Sequence, residues 1–380
     1  MLDSSFLQAS EAAAARWDVP ALAFGVSVGD VAEEASFGCD PGTIFHIASI
    51  TKPFTASLAL GLLDLEVGTG VWAPEVRVRH LLSHTSGYDC ELADGGQERF
   101  ESAPDPLAAQ LPSLASVRRL LGVERCWSYA NTGYWLAGRL CSEAAGVSYE
   151  EAVAKRITRP AGLESTSFGE SGLAGTGPDA LDGPYPRARR PSGGLVSNVP
   201  DLLRFGRRLL AEPRLRVVQA KPVGGVYGLG LWGERVGGVE VWGHGGSWGG
   251  FQSSLLTIPD RDAVFVGLTN ASLGAKALYE LENEFCRRLL GATRRTPDTV
   301  ALTSESLRAF GGSYATSEGR YEVVPTPTGL RVQFEDGAFA ARPIGERTFE
   351  ITEGNRVRER FDFPLEGFGR FGSRLADRVA

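Results

Sequence analysis

Three short runs of this chain carry residue types at spacings that suit acyl transfer. The first is Ser49-Ile50-Thr51-Lys52. Residues three apart at a helix start share a face, so the Ser49 hydroxyl and Lys52 amine come within reach of each other. A serine hydroxyl is a poor nucleophile until a base takes its proton. A lysine can be that base when burial disfavours its charged form. Pro53 and the apolar run behind it predict a buried first turn. The helix N-terminus would add N–H groups and a positive dipole end for a developing oxyanion. The second run is Tyr129-Ala130-Asn131. Side chains two apart in extended backbone point the same way; a phenol there can relay a proton and a carboxamide can hold a substrate carbonyl. The third is His244-Gly245-Gly246-Ser247. Its glycines let substrate backbone approach a strand edge, and the Ser247 N–H is a candidate oxyanion donor opposite that of Ser49. Taken singly, each run has a plain alternative: a capping serine with a solvated lysine, a core tyrosine with a capping asparagine, a glycine-rich hairpin with a surface histidine.

Positioning these runs requires elements that the rest of the chain supplies. Residues 4–17 read as an amphipathic helix. PALAFGVSV and VAEEASFG read as two strands joined at Gly29-Asp30. FHIAS leads into a helix predicted to end before Gly68. Residues 88–126 read as a loop-and-helix insertion over a site. Two helices follow, the second halted by Pro160, and then a helix that Asn198 or Asp201 can cap. YGLGLWGERV, VEVWGHGG, FQSSLLTIP and AVFVGLTN read as strands, and ALYELENEFCRRLLG as a helix. Strands at both ends of this unit must meet in one sheet, with the helical middle forming a second layer. From about residue 304 the pattern alternates apolar and polar between glycine-rich turns, as an antiparallel meander or small barrel does. The organisation expected is therefore a unit over 1–295 and a small β unit over 304–380.

Bulk properties narrow the function. The 380 residues carry a formal net charge of -7, which disfavours a nucleic-acid groove. The Arg187, Arg189 and Arg190 cluster reads as a solvated loop. No stretch reaches the roughly 20 apolar residues of a membrane span, and the N-terminus lacks the pattern of a secretory signal. Five cysteines without metal-ligand spacing fit a reducing compartment, so cytoplasm is expected. Only four lysines stand against 35 arginines, and lysine alone of the two gives up its proton near neutral pH, which draws attention to Lys52. His80 and His84 have the i,i+4 spacing of metal ligands but no acidic partner in a metalloprotease pattern, so no metal is expected.

The order and spread of the three runs resemble the serine β-lactamases and penicillin-binding proteins, particularly the class C β-lactamase, DD-peptidase and related esterase branch. FHIASITKPFTA, HLLSHTSG, SGGLVSN and GGFQSSLLTIPDRDAVFVGLTN are similar to that family too, so the likeness covers most of residues 5–290. It implies an α+β fold, an antiparallel sheet flanked by helices with a helical subdomain. The C-terminal segment resembles the lipocalin-like appendage of some family members. By the same resemblance Ser49 is the nucleophile, and Lys52 and Tyr129 share general-base and relay duty. Asn131 positions substrate, and His244 with Gly246 fills the third-motif place. The N–H groups of Ser49 and Ser247 form the oxyanion hole, and Asn270 contacts a substrate carboxylate. A histidine in the third motif is more similar to peptidases and esterases than to class C β-lactamases. The implied partner is a small-molecule ester, amide or peptide, with no cofactor. The same acyl-enzyme would also serve an acyltransferase or peptide cyclase, or a penicillin-binding sensor that does not turn over.

Overall fold

The structure is a computed structural model that describes residues 1–379 other than 93–95, 170–172, 175–183, 222–224, 295–296, 318, 335–336, 354–355 and 372. Nine strands precede the C-terminal part: β1 Leu22–Val28, β2 Val31–Phe37, β3 Phe45–His46, β4 Val196–Ser197, β5 Val226–Tyr227, β6 Trp232–Val236, β7 Val239–Trp248, β8 Phe251–Ile258 and β9 Ala263–Thr269. Seven form one antiparallel sheet in the order β2-β1-β9-β8-β7-β6-β5, so the N-terminal hairpin does lie beside strands from more than 200 residues later. The hairpin turns at Gly29, whose φ of +56° suits a residue without a Cβ. Successive β9 residues face opposite layers, as strand geometry requires. Val264, Val266 and Leu268 meet the core shared with Phe54, Trp135 and Phe205. Ala263 and Phe265 meet the core of the helices Ser4–Arg16 and Gly274–Leu290, with Phe6 and Phe285.

The helix Thr51–Leu62 lies inside the first core and ends earlier than its apolar pattern predicts. Leu65 and Val67 offer their carbonyls to the N–H groups of Arg79 and Val78, so long-range pairing replaces further helical bonds. Within residues 88–126 the described chain holds only short helices, among them Pro106–Ala109 and Leu111–Ala115. The Arg187–Arg190 cluster is not the solvated loop its composition suggests. Arg187 donates to the Glu101 and Ala103 carbonyls. Arg190 pairs with Glu150, and Arg189 lies 5.6 Å from the Trp135 ring. Asn198 rather than Asp201 caps the helix Val199–Leu210, accepting from the Asp201 N–H at 3.0 Å.

After a helix at Ser304–Phe310, eight strands close into a barrel: β10 Gly312–Ala315, β11 Arg320–Pro325, β12 Leu330–Phe334, β13 Gly337–Pro343, β14 Thr348–Glu353, β15 Arg356–Leu365, β16 Phe368–Phe371 and β17 Arg374–Val379. Its interior is filled by Phe349, Phe361, Phe363 and Phe371 with Ile351. The β16–β17 end of the barrel reaches the segment that carries Tyr129, where the Tyr129 N–H donates to the Ser373 carbonyl at 2.9 Å.

The Phe54 and Phe205 rings stack at 3.5 Å and are wholly buried, joining the helix behind Ser49 to the helix under the sheet. Phe205→Ala is expected to cost about 3–5 kcal/mol, measured as a lowered urea midpoint with an unchanged m-value.

Candidate active site

Ser49 stands in a 3-10 turn, Ala48–Ile50, that runs straight into the helix Thr51–Leu62. The turn is braced on both sides. The Ile47 N–H donates to the Leu195 carbonyl at 3.1 Å, and the Ser253 hydroxyl on β8 donates to the Ile47 carbonyl at 2.9 Å. Ala48 holds a φ of +44°, a left-handed conformation that L residues adopt at a cost. Strain of this kind persists only where surroundings over-determine it, and here it turns the Ser49 side chain toward the cleft.

Lys52 lies one turn on, fully buried. Its Nζ is 3.1 Å from Ser49 Oγ and donates to the Ser192 carbonyl at 2.7 Å. Burial drives its pKa well below the ordinary lysine value; nearby Cys90 and Glu91 oppose that shift, while Arg374 and Arg189 reinforce it. A neutral amine keeps a lone pair, and with Ser192 taking one of its hydrogens that lone pair can face the Ser49 hydroxyl. Tyr129 comes from the extended stretch ahead of the helix Asn131–Ala145, and its hydroxyl donates to Ser49 Oγ at 3.0 Å. Burial raises the phenol above its ordinary value, with the Ser49 bond and Arg374 acting the other way. A phenol so placed rests protonated. The amine is then the group able to accept the Ser49 proton, and the phenol the group able to pass one on.

A cleft with a cavity volume of about 480 Å³ opens over Ser49 and is lined by Tyr129, His244, Gly246 and Ser247. This is in the range of small-ligand sites. The cleft therefore unites the first and third runs and the tyrosine of the second. Gly246 has no alternative: a Cβ there would sit 2.3 Å from the Ile47 carbonyl oxygen and 2.4 Å from Ser253 Oγ. Burial is the leading cause that pushes the His244 imidazole down to about 3, so it stays neutral. Asn131 stands just behind, its Nδ2 donating to Glu91 Oε1 at 2.5 Å. Asn270 directly follows β9. Expected at a substrate carboxylate, it is buried, and its Oδ1 accepts from the Ala21 N–H at 2.9 Å. The pairing of Leu22 with Thr269 places Ala21 beside Asn270, so the carboxamide oxygen satisfies sheet-end backbone.

Several neighbours of the site lie outside the three runs. Glu91 links Asn131 to Arg189. His84 is buried and packs 4.3 Å from the Tyr129 ring. Its Nδ1 accepts from the Ala130 N–H at 3.0 Å, which fits the neutral state that burial enforces. His80 lies apart from it, accepting from the Arg77 N–H and facing Glu124; among the described residues no group of side chains is arranged to hold a metal ion. Ser373 and Arg374 of the barrel line the cleft too. Arg374 Nε donates to Cys90 Sγ at 3.1 Å, and its guanidinium carbon is 5.7 Å from the Tyr129 ring centroid.

The profile of the family described as Beta-lactamase matches residues 9–284. The chain belongs to the β-lactamase family. Penicillin-binding protein 4 of Amycolatopsis lactamdurans is 27% identical over 350 residues, covering 76% of this chain and 90% of its own. The crystal structure of SurE superposes with a TM-score of 0.79 at 22% identity, over 99% of this chain and 98% of its own, so the shared fold includes the barrel. A D-stereospecific amidohydrolase from Streptomyces sp. superposes with a TM-score of 0.60 at 26% identity, over 74% of this chain and 98% of its own. Among the described residues of this β-lactamase-family chain, no helix is long and apolar enough to cross a membrane.

Two expectations follow. If Lys52 must be neutral to act, acylation is lost as pH falls through its lowered pKa. The lowering moves that limb well to the acid side of the ordinary lysine value. Stopped-flow acylation rates against pH are expected to show the limb, to keep it in His244→Asn, and to lose it in Lys52→Ala. Gly246→Ala is expected to reduce kcat/KM by about 100-fold, because a misplacement near 1 Å costs on that order; steady-state kinetics on a chain of unchanged circular dichroism checks it.

Proposed function

We propose that this chain is a serine hydrolase that opens an ester or amide through an acyl-Ser49 intermediate. The observation that carries the reading is the convergence on one oxygen: Ser49 Oγ has Lys52 Nζ at 3.1 Å and the Tyr129 hydroxyl at 3.0 Å. In the forward step Lys52 takes the serine proton as Oγ attacks the carbonyl carbon. The backbone N–H groups of Ser49 and Ser247 receive the oxyanion, and Tyr129 protonates the leaving amine or alkoxide. Lys52 then returns its proton to Tyr129. Water, deprotonated by the same pair, attacks the acyl carbon and releases Ser49. Asn131, held by Glu91, and neutral His244 orient the substrate.

The 26% identity to a D-stereospecific amidohydrolase supports D-configured amino-acid amides or peptides as the class to try first. Arg374 in the cleft lining supports a substrate with a carboxylate nearby. Hydrolysis in the cytoplasm, and a unit boundary between residues 295 and 304, remain part of this proposal.

A fluorophosphonate probe is expected to add one mass adduct to the wild-type chain and none to Ser49→Ala; an adduct that survives the substitution removes Ser49 from the role. A turnover panel of p-nitrophenyl esters, nitrocefin and D- and L-amino-acid amides is expected to show kcat lowered by several orders of magnitude in Ser49→Ala. Conjugate formation in preference to free acid when amines are added would turn the reading to acyl transfer, and a stoichiometric burst without turnover would turn it to a sensor.

A further inference from the structure

The stretch Trp127–Ala130 delivers Tyr129 to Ser49, and it is gripped from two sides. On one side stands His84. Its carbonyl accepts from the Ser128 N–H, and its Nδ1 accepts from the Ala130 N–H, each at 3.0 Å. On the other side stands the last hairpin of the barrel. Arg370 Nη1 donates to the Trp127 carbonyl at 2.8 Å. The Leu375 N–H donates to Ser128 Oγ at 3.0 Å, and the Tyr129 N–H donates to the Ser373 carbonyl at 2.9 Å. Three consecutive residues, 127, 128 and 129, are thus each bonded to β16, β17 or the turn between them.

Arg370 is 5% exposed. Its Nε and Nη2 donate to Asp362 of β15 at 2.9 and 2.5 Å, and its guanidinium carbon lies 5.6 Å from the Trp127 ring centroid. A guanidinium presents its donors as a rigid planar fork. With two of them fixed on Asp362, the direction of the third is fixed as well, and it meets the Trp127 carbonyl. A buried ion pair is weak evidence of stability, because desolvation offsets much of the attraction. It is better evidence of a geometry that must be held.

We propose that Arg370, aimed by Asp362, is a positioning residue for Tyr129, and that the C-terminal barrel thereby sets the register of the proton relay. The proposal rests on the reading of Tyr129 as the group that passes a proton beside Ser49. The phenol has only two side-chain torsions, so its reach is decided by where its backbone lies. A slip of the 127–129 backbone would lengthen the bond to Ser49 Oγ while leaving Ser49 and the His244–Ser247 side of the cleft in place.

The test uses the full chain, steady-state hydrolysis of a p-nitrophenyl ester, and fluorophosphonate labelling to count competent sites. Arg370→Lys keeps a positive charge beside Asp362 but lacks the fork that reaches Trp127. It is expected to lower kcat per labelled site by about 10- to 100-fold, while KM stays within about two-fold because substrate contacts are intact. Glu350→Gln is the control. Glu350 is wholly buried in the same barrel and bound by Arg342 and Arg360, so this variant is expected to lower Tm and leave kcat unchanged. Should Arg370→Lys fail to fold, Ser128→Ala removes only the acceptor of the Leu375 N–H, and a drop in kcat at constant KM is expected there too. Wild-type kcat in the folded Arg370→Lys or Ser128→Ala chain overturns the proposal. An equal loss in Glu350→Gln does so as well, since any loosening of the barrel would then suffice. A wild-type chain that takes no label at Ser49 sinks the hydrolase reading itself, a result distinct from either.

Discussion

The arrangement depends on an ammonium group being denied water. Lys52 is completely buried, one turn from Ser49, and burial is the leading cause of its lowered pKa. An exposed lysine in the same place would stay charged and have no lone pair to offer. The burial has a thermodynamic consequence. Between the lowered value and that of an ordinary lysine, the unfolded chain holds the proton and the folded chain does not. Stability therefore rises with pH across that window and is forfeited as pH falls through it. The fold sustains this with the core around Phe54, Trp135 and Phe205, packed against the helix whose second residue is Lys52.

Around that amine the site is built from parts that have no neighbourhood in the sequence. Ser192 supplies the carbonyl that takes one Lys52 hydrogen, and its hydroxyl accepts from Trp135 Nε1 at 2.8 Å. Ser253 braces the turn before Ser49. Glu91 orients the Asn131 carboxamide. Two imidazoles flank the phenol, His84 at 4.3 Å and His244 at 6.3 Å between ring centroids, and burial keeps both neutral. The positive charge near the nucleophile then comes from Arg189 and Arg374, whose guanidiniums do not titrate in the working range. In the proposed mechanism that division leaves proton transfer to Lys52 and Tyr129.

The barrel changes how the two parts of the chain relate. Its hydrophobic interior is self-contained, with aromatic rings in contact from Phe310 through Phe363 to Phe371. Its edge nonetheless bonds the backbone of residues 127–129 and carries Arg374 into the cleft. An appendage with its own core has thus become part of the wall of a cleft that also holds Ser49, more than 300 residues earlier.

The sequence by itself determined the local parts. Ser49 and Lys52 are three apart on one helical face, Tyr129 precedes a helix by two residues, and Gly246 sits where a strand must be approached closely. Each follows from backbone periodicity or a missing Cβ, which are properties of short segments. The alternating strands and the hairpin at Gly29 were legible for the same reason, while the C-terminal alternation left a meander or a small barrel open until its eight strands closed. Tertiary structure alone decided the rest. The Thr51–Leu62 helix stops early because distant residues compete for its backbone. The Asn270 carboxamide oxygen binds the Ala21 N–H because Ala21 lies opposite it in the sheet. Arg187–Arg190 are engaged because carbonyls, rings and a carboxylate wait beside them. Glu91, Arg370 and Arg374 carry no spacing that marks them, since their roles arise from contacts across 40 to nearly 300 positions. Periodicity records which way a side chain points from its own element, and it holds no information about which distant element arrives to meet it.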